Sequence, residues 1–136
     1  MIIDSENFKK KIIDEIDRLM NKNQIPWKML TEDKLDYMGI VKYSDNVGNK
    51  VVFNSIMYRV CFYGKPMIIA YNYNKKIKNE SIDTIDMANI TVMDNDKRGE
   101  IYKLIIRVKE YVENKRKKED EDFLDRFTLC LNRSKK

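Results

Sequence analysis

Apolar residues near the start of the chain recur every three or four positions, the spacing of one buried helix face. They are Phe8, Ile12, Ile13, Ile16, Leu19 and Met20. Asp4 or Ser5 can accept hydrogen bonds from the first amides of such a helix, and Pro26 forces the residue before it into an extended conformation. The pattern predicts an N-terminal helix within residues 1–23. Trp27 is predicted to cover the end of the core, with ligand stacking as the alternative.

Between residues 37 and 93 the period becomes that of a strand, with aromatic and β-branched residues between turn signals. The predicted strands cover residues 37–43, 51–63, 67–73 and, more weakly, 85–93. A bulge is expected at Asn54–Ser55, a hairpin loop at residues 45–49 and an exposed loop at residues 74–80. The pattern over residues 37–93 therefore predicts an antiparallel sheet of three to five strands.

A second helical region is predicted over residues 96–131. Its apolar stripe consists of Ile101, Leu104, Ile105, Val108, Tyr111 and Val112. Asp94 or Asp96 can cap the helix. In the basic run Lys115–Lys118, each cation has a carboxylate four residues later, which favours pairing along a helix. The helix is expected to continue through this run to a second apolar patch, formed by Phe123, Leu124 and Phe127.

Together these regions predict a single α+β domain over residues 1–136, an antiparallel sheet flanked by an N-terminal helix and a long C-terminal helix. A chain of 136 residues, 43% hydrophobic, with 4 glycines and 2 prolines, has the size of one domain and is too apolar for a disordered chain. No apolar stretch approaches the roughly 20 residues of a membrane span, and the first residues lack a signal-peptide layout. We therefore expect a cytoplasmic location and no membrane partner.

The net charge of +5 lies entirely in the last third of the chain. Residues 1–96 contain 14 basic and 14 acidic side chains, whereas residues 97–136 contain 13 basic and 8 acidic ones. A docking surface for acidic partners, if present, is expected in that last part.

No histidine occurs in the chain, which removes the usual general base and the commonest metal ligand. Gly48 and Gly64 stand alone, so no phosphate-binding loop is present. Cys61 and Cys130 form no metal-binding pair and are expected to be buried thiols. The aspartates that could gather a cation are more simply explained by a solvated loop and a helix cap: Asp83, Asp86, Asp94 and Asp96. We expect no enzymatic activity, no cofactor and no metal ion, although a serine–lysine or cysteine–aspartate arrangement formed only by folding stays open.

Side chains of the predicted sheet form the first candidate surface. Alternation places Tyr58, Val60 and Phe62 on one face and Arg59, Cys61 and Tyr63 on the other. One face must pack against the helices, and the other can bind a partner. Aromatic and arginine side chains dominate protein interfaces, so the predicted partner-binding residues are Arg59, Tyr63, Tyr71 and Tyr73. A sheet covered on both faces and a dimer interface are the alternatives.

Two further surfaces follow from the last helix. Clustered cations without acidic neighbours suit phosphate contacts, and Lys103, Arg107 and Lys109 are the candidates for nucleic-acid binding. The second apolar patch extends beyond what one small sheet can cover. Phe123, Leu124 and Phe127 are therefore predicted to form the interface of a homodimer.

Three segments carry a resemblance in layout: Ile25–Lys28, Tyr58–Tyr63 and Glu100–Leu104, together with frequent lysine, asparagine and isoleucine. The chain resembles short accessory proteins of phages and mobile elements in AT-rich bacteria. The resemblance implies inhibition of a host defence, such as a CRISPR effector or cyclic-nucleotide signalling, by binding and not by catalysis. Many DNA-mimicking inhibitors are acidic, whereas this chain is basic.

The leading hypothesis is thus an inhibitor that occupies a protein or ribonucleoprotein partner. The alternatives are a nucleic-acid-binding accessory factor and an enzyme without histidine.

Overall fold

The computed structural model describes residues 2–32, 34–72 and 89–134, in which two helices pack on a five-stranded antiparallel sheet. The elements in chain order are α1 (Glu6–Asn21), β1 (Lys28–Met29), β2 (Asp36–Val47), β3 (Lys50–Tyr63), β4 (Lys65–Asn72), β5 (Asn89–Met93) and α2 (Glu100–Ser134). Each described strand pairs with the next one along the chain. The predicted α+β class, with a helix at each end of the sheet sequence, is confirmed.

Helix α1 begins and ends as its sequence predicts. The Ser5 hydroxyl accepts a hydrogen bond from the Phe8 amide at 3.3 Å, which caps the first turn. At the other end Asn23 adopts a left-handed conformation with φ of 53°, which stops the helix. The predicted stripe is buried at Ile12, Ile13, Ile16, Leu19 and Met20.

The long hairpin of β2 and β3 pairs without interruption. Tyr43 lies opposite Asn54 and Lys42 opposite Ser55, so the expected bulge at Asn54–Ser55 is wrong. Asparagine and serine are poor strand formers, but strand propensity is weak beside the ladder to which these residues belong. The turn lies at Gly48, whose φ of 64° favours glycine.

Two elements of the sheet differ from the sequence prediction. The two-residue strand β1 pairs Lys28 with Met38 and Met29 with Tyr37, and it is too short to show a period of two. The weak strand expected at residues 85–93 is present as β5 over Asn89–Met93. The expected loop at residues 74–80, the end of the third predicted strand at Tyr73 and residues 85–88 lie outside the described residues.

Both helices pack on the same face of the sheet. That face contributes Tyr58, Val60 and Ile68 to a core that includes Leu19 of α1 and Leu104 of α2, each at most 5% exposed. Trp27, 8% exposed, also packs in this core, in agreement with its predicted structural role. Neither described helix is long and apolar enough to cross a membrane.

A buried carboxylate joins α1 to the start of α2. Asp94 accepts hydrogen bonds from the Ile101 amide at 2.8 Å and from the Lys9 ammonium at 2.7 Å. The predicted cap at Asp94 is therefore confirmed. A Cβ at Gly99 would lie 2.7 Å from the Asp94 carboxylate, so this close approach requires glycine.

Helix α2 runs continuously through the charged run, as predicted, and its two halves have different surroundings. Ile101, Leu104, Ile105 and Val108 are fully buried, whereas the described side chains from Glu113 to Arg133 are exposed. We call residues 113–134 the distal segment. A helix of 35 residues is about 52 Å long, which exceeds the extent of this small sheet.

The charged run does not pair internally as the sequence predicts. None of the four pairs between Lys115–Lys118 and Glu119–Asp122 lies within the 4.0 Å that defines an ion pair in the described chain. The Lys115 ammonium lies instead 5.9 Å from the centre of the Tyr111 ring. Exposed pairs are worth so little that hydration of the separate charges competes with them.

Candidate functional site

The face of the sheet opposite the helices is the candidate site, and we call it the open face. Cross-strand partners point to the same side of a sheet. Arg59 lies opposite Met38 and Ile69, while Met57 lies opposite Ile40 and Tyr71. The same alternation adds Met67 and Met93, which pair with each other. Within the described residues neither helix packs over this face, and its apolar side chains, apart from the buried Cys61, are half-buried or exposed.

A three-residue network lies at one end of the open face. The Arg59 guanidinium donates to both oxygens of Asp36, at 2.9 and 2.7 Å, and the Tyr63 hydroxyl donates to Asp36 Oδ2 at 2.6 Å. Asp36 is 1% exposed, so its charge depends on these donors. The Arg59 hydrogen bonds lower the pKa of Asp36, and the same contact raises the pKa of Arg59.

This network holds an aromatic ring at the surface. Tyr63 is 45% exposed, and the Arg59 guanidinium and the Lys34 ammonium each lie 5.7 Å from its ring centre. Hydrogen bonding of its hydroxyl to Asp36 raises the pKa of Tyr63. The ring is therefore ordered before any partner arrives, which lowers the entropy lost on binding.

The structure brings together three of the four predicted partner-binding residues. Arg59, Tyr63 and Tyr71 share the open face, whereas Tyr73 lies outside the described residues. Arg59 already forms two hydrogen bonds to Asp36, so it orders Tyr63 and is not a free cation. Sequence reasoning grouped Met67 with Tyr71 on one face but did not name it as a contact residue, and it missed Asp36, Met38, Met57 and Met93. The signal was present, because each alternates with core residues of its own strand.

Lysines surround the apolar centre of the open face. Lys28, Lys42 and Lys65 fall on this face by their register. Asp36 is the only carboxylate among the described strand residues of the face, and Arg59 neutralises it. The face is therefore apolar in the middle and basic at its edge, although the sequence places the excess positive charge in residues 97–136.

The β2–β3 hairpin extends the open face beyond the rest of the sheet. Among the described residues, β4 pairs with β3 only as far as Ile56–Asn72, so residues 44–53 form a two-stranded ribbon within the described part of the sheet. Val51 and Phe53 point to the side of the open face and are 56% and 68% exposed. Exposed apolar side chains grouped in this way mark contact surfaces.

The cations proposed for nucleic-acid binding are not free. Lys103 lies 3.3 Å from Glu100, Arg107 lies 2.9 Å from Asp17 of α1, and Lys109 lies 3.9 Å from Glu113. The expectation that they form a cluster of unpaired charges is wrong. Two of the carboxylates lie one turn away on α2, and the third is brought in by helix packing.

The described residues contain no group of three or more cysteine, aspartate and glutamate side chains that could hold a metal ion. Asp83 and Asp86 lie outside the described residues. Burial raises the pKa of the Cys61 thiol to about 11, so it is not a thiolate near neutral pH. Cys130 is exposed, and its expected burial is wrong because it lies on the distal segment.

Comparison with protein-family models, with curated proteins and with solved structures finds no match to this chain.

Proposed function

We propose that the chain is a non-catalytic protein-binding module that occupies a partner through the open face. The observation that carries this proposal is an apolar, methionine-rich sheet face without a helix over it in the described part of the chain. Removing such a surface from water drives association. Methionine side chains adapt to different partner shapes, which suits a binding surface.

The partner that fits is a protein segment with apolar residues in its centre and acidic residues around them. The lysines at the edge of the open face attract such a segment over a distance and discriminate against basic ones. The preordered Tyr63 ring supplies an aromatic anchor next to the apolar centre. The resemblance to phage accessory proteins supports an inhibitor role, in which this contact blocks a component of a host defence in the cytoplasm.

A charge reversal at the edge of the open face tests the proposal. Lys42→Glu plus Lys65→Glu should abolish capture of the protein partner from host lysate after nuclease treatment. Lys10→Glu plus Lys11→Glu on the exposed side of α1 changes the net charge equally and should leave capture intact. Equal capture by both double variants would remove the open face from the interaction.

Nucleic acid is the alternative partner, and fluorescence anisotropy with labelled DNA and RNA separates the two cases. No binding through the predicted cations is expected, because Lys103, Arg107 and Lys109 are each paired with a carboxylate. Submicromolar binding that weakens linearly in log salt and is lost in Lys42→Glu plus Lys65→Glu would replace the protein partner by nucleic acid. If such binding were found, Lys103→Ala plus Arg107→Ala should leave its affinity unchanged.

We also propose that the chain forms a homodimer through the patch of Phe123, Leu124 and Phe127. These side chains are 66%, 59% and 53% exposed, and the two phenylalanine rings stack with centres 6.3 Å apart. An isolated helical segment of this kind gains little stability from its own hydrogen bonds and normally needs packing. A second copy provides that packing.

A further inference from the structure

We propose that the distal segment of α2 pairs antiparallel with the same segment of a second copy, with Phe127 beside the two-fold axis. This inference rests on the proposed homodimer and specifies its orientation and register. It is independent of the open face, which lies on the sheet.

The apolar patch of the distal segment points in a different direction from the buried stripe of the same helix. At about 100° per residue, Phe123, Leu124, Phe127 and Cys130 fall within one third of the helix circumference. That sector is rotated by roughly a quarter turn from the buried sector of Ile101, Leu104, Ile105, Val108 and Val112. Phe123 and Cys130 stay in line with Ile105 and Val112, eighteen residues earlier, whereas Leu124 and Phe127 are turned away from that line. In the described structure the sheet covers none of the patch side chains, which are all exposed.

Charge order along the segment selects the antiparallel orientation. The sequence reads basic at Lys115–Lys118, acidic at Glu119–Asp122, apolar around Phe127 and basic again from Arg133. A parallel pair would place each acidic block beside its own copy. An antiparallel pair centred on Phe127 separates the two acidic blocks and places Glu121 opposite Arg133 of the partner subunit, and the opposed helix dipoles agree with this arrangement.

Apolar matching selects the register. With Phe127 at the axis, Phe123 of each copy lies opposite Leu131 of the partner subunit, and Leu124 lies opposite Cys130 of the partner subunit. An antiparallel pair centred between Lys118 and Glu119 would also match the charges. It would, however, place the phenylalanines beside residues 110–114, most of which are polar. Of these two registers, the one centred on Phe127 is therefore favoured, because it brings the apolar side chains together.

The size of this interface implies a modest affinity. Each phenylalanine can bury about 150–250 Å², so four of them with the leucines give an interface of about 1,000 Å², the lower limit for a specific one. The dimer should therefore form at micromolar concentration and dissociate on dilution.

Light scattering on the full chain tests the dimer. A mass of twice 16.3 kDa is expected at high micromolar concentration, falling to 16.3 kDa for Phe123→Ser plus Phe127→Ser. Leu129→Ser is the matched control, because Leu129 is 58% exposed but lies on the opposite side of the helix. It should stay dimeric. All variants should keep the thermal midpoint of the core, measured by circular dichroism. A monomeric wild type would overturn both the homodimer and its orientation.

Disulfide trapping at Cys130 tests the orientation, because Cys61 is buried and Cys130 is exposed. With diamide as oxidant, Leu124→Cys should give a covalent dimer, whereas the wild type and Leu124→Cys plus Cys130→Ser should not. A wild-type dimer linked through Cys130 would overturn the antiparallel orientation and leave the homodimer standing. A non-covalent dimer that no variant traps would overturn the register.

Discussion

At the scale of single residues, two buried carboxylates connect distant parts of the chain. Asp36 joins β2 to Arg59 and Tyr63 of β3, and Asp94 joins α1 to α2. Buried carboxylates require donors for their charge. Each therefore gives a prediction about stability.

Asp36 should make stability depend on pH. Because its pKa in the folded protein is lowered from the ordinary 3.8, its ion pair stabilises the protein above that pH. This contribution is lost as the pH falls through the folded-state pKa. Asp36→Asn should lower the free energy of unfolding by about 2 kcal/mol at neutral pH and by progressively less below the ordinary carboxyl pKa. Urea unfolding at several pH values measures this.

Asp14→Asn is the matched control, because Asp14 is an exposed carboxylate on α1. Its effect should be small at every pH. A deficit of Asp36→Asn that stays constant down to acidic pH would show that the Asp36 charge is not what stabilises the fold.

Gly99→Ala should destabilise the protein by displacing the Asp94 carboxylate, which would lie 2.7 Å from the new Cβ. The loss of the cap at Ile101 should cost about 1–2 kcal/mol. Thermal or urea unfolding of Gly99→Ala, Asp94→Asn and the double variant measures the coupling. The two effects should overlap in the double variant, and full additivity would contradict a shared cause.

At the scale of elements, helix α2 has different surroundings in its two parts. The first part of α2 is core and its distal segment is exposed, although the helix is continuous from Glu100 to Ser134. Helical continuity requires only local hydrogen bonds, whereas burial requires a neighbour. Substitutions in the two parts should therefore have different costs.

Ile105→Asp should prevent cooperative folding, because Ile105 is 0% exposed and the new charge would have no partner. Leu129→Asp on the exposed part of the same helix should change the free energy of unfolding by less than about 0.5 kcal/mol. Replacing Lys115–Lys118 with glutamine should be equally mild. Circular dichroism during urea unfolding checks all three, and an unchanged midpoint for Ile105→Asp would remove the stripe from the core.

At the scale of the whole molecule, residues 2–32, 34–72 and 89–134 form a sheet with one covered and one open face, from which two segments project. The β2–β3 ribbon projects from the sheet, and the distal segment projects from the helices. Stability should be distributed accordingly, since regions with few buried neighbours open first.

Hydrogen exchange measured by mass spectrometry should show this distribution. Central β3 amides near Val60, which is 0% exposed and pairs with strands on both sides, should exchange slowest. Amides of residues 44–53 should exchange fast. The distal segment should exchange fast in dilute protein and slowly at concentrations where the homodimer forms. Equal protection of the ribbon and central β3 would contradict this picture.

Elements whose apolar residues recur with a strong local period were predictable from the sequence. The predictions failed where pairing with a neighbouring strand outweighs the strand propensity of single residues. The stripe of α1 followed from spacing alone, because a helix face repeats within a few residues, whereas the choice of Ser5 over Asp4 as its cap came from the structure. The regular pairing of Asn54 and Ser55 was missed because the ladder outweighs two poor strand formers. The candidate site was predicted in part: alternation grouped Arg59 with Tyr63, while the contribution of Asp36 came from the neighbouring strand.

The sequence by itself determined the fold class, the core-facing stripe of each helix and the absence of histidine chemistry. These are properties of local period and composition. Tertiary structure decided which charges are neutralised, which sheet face is open and where α2 extends beyond the core. These depend on residues far apart in the chain: Arg107 meets Asp17 across 90 positions, and Asp36 meets Arg59 across 23. A local pattern carries no information about such contacts, because only packing sets the distance between their atoms.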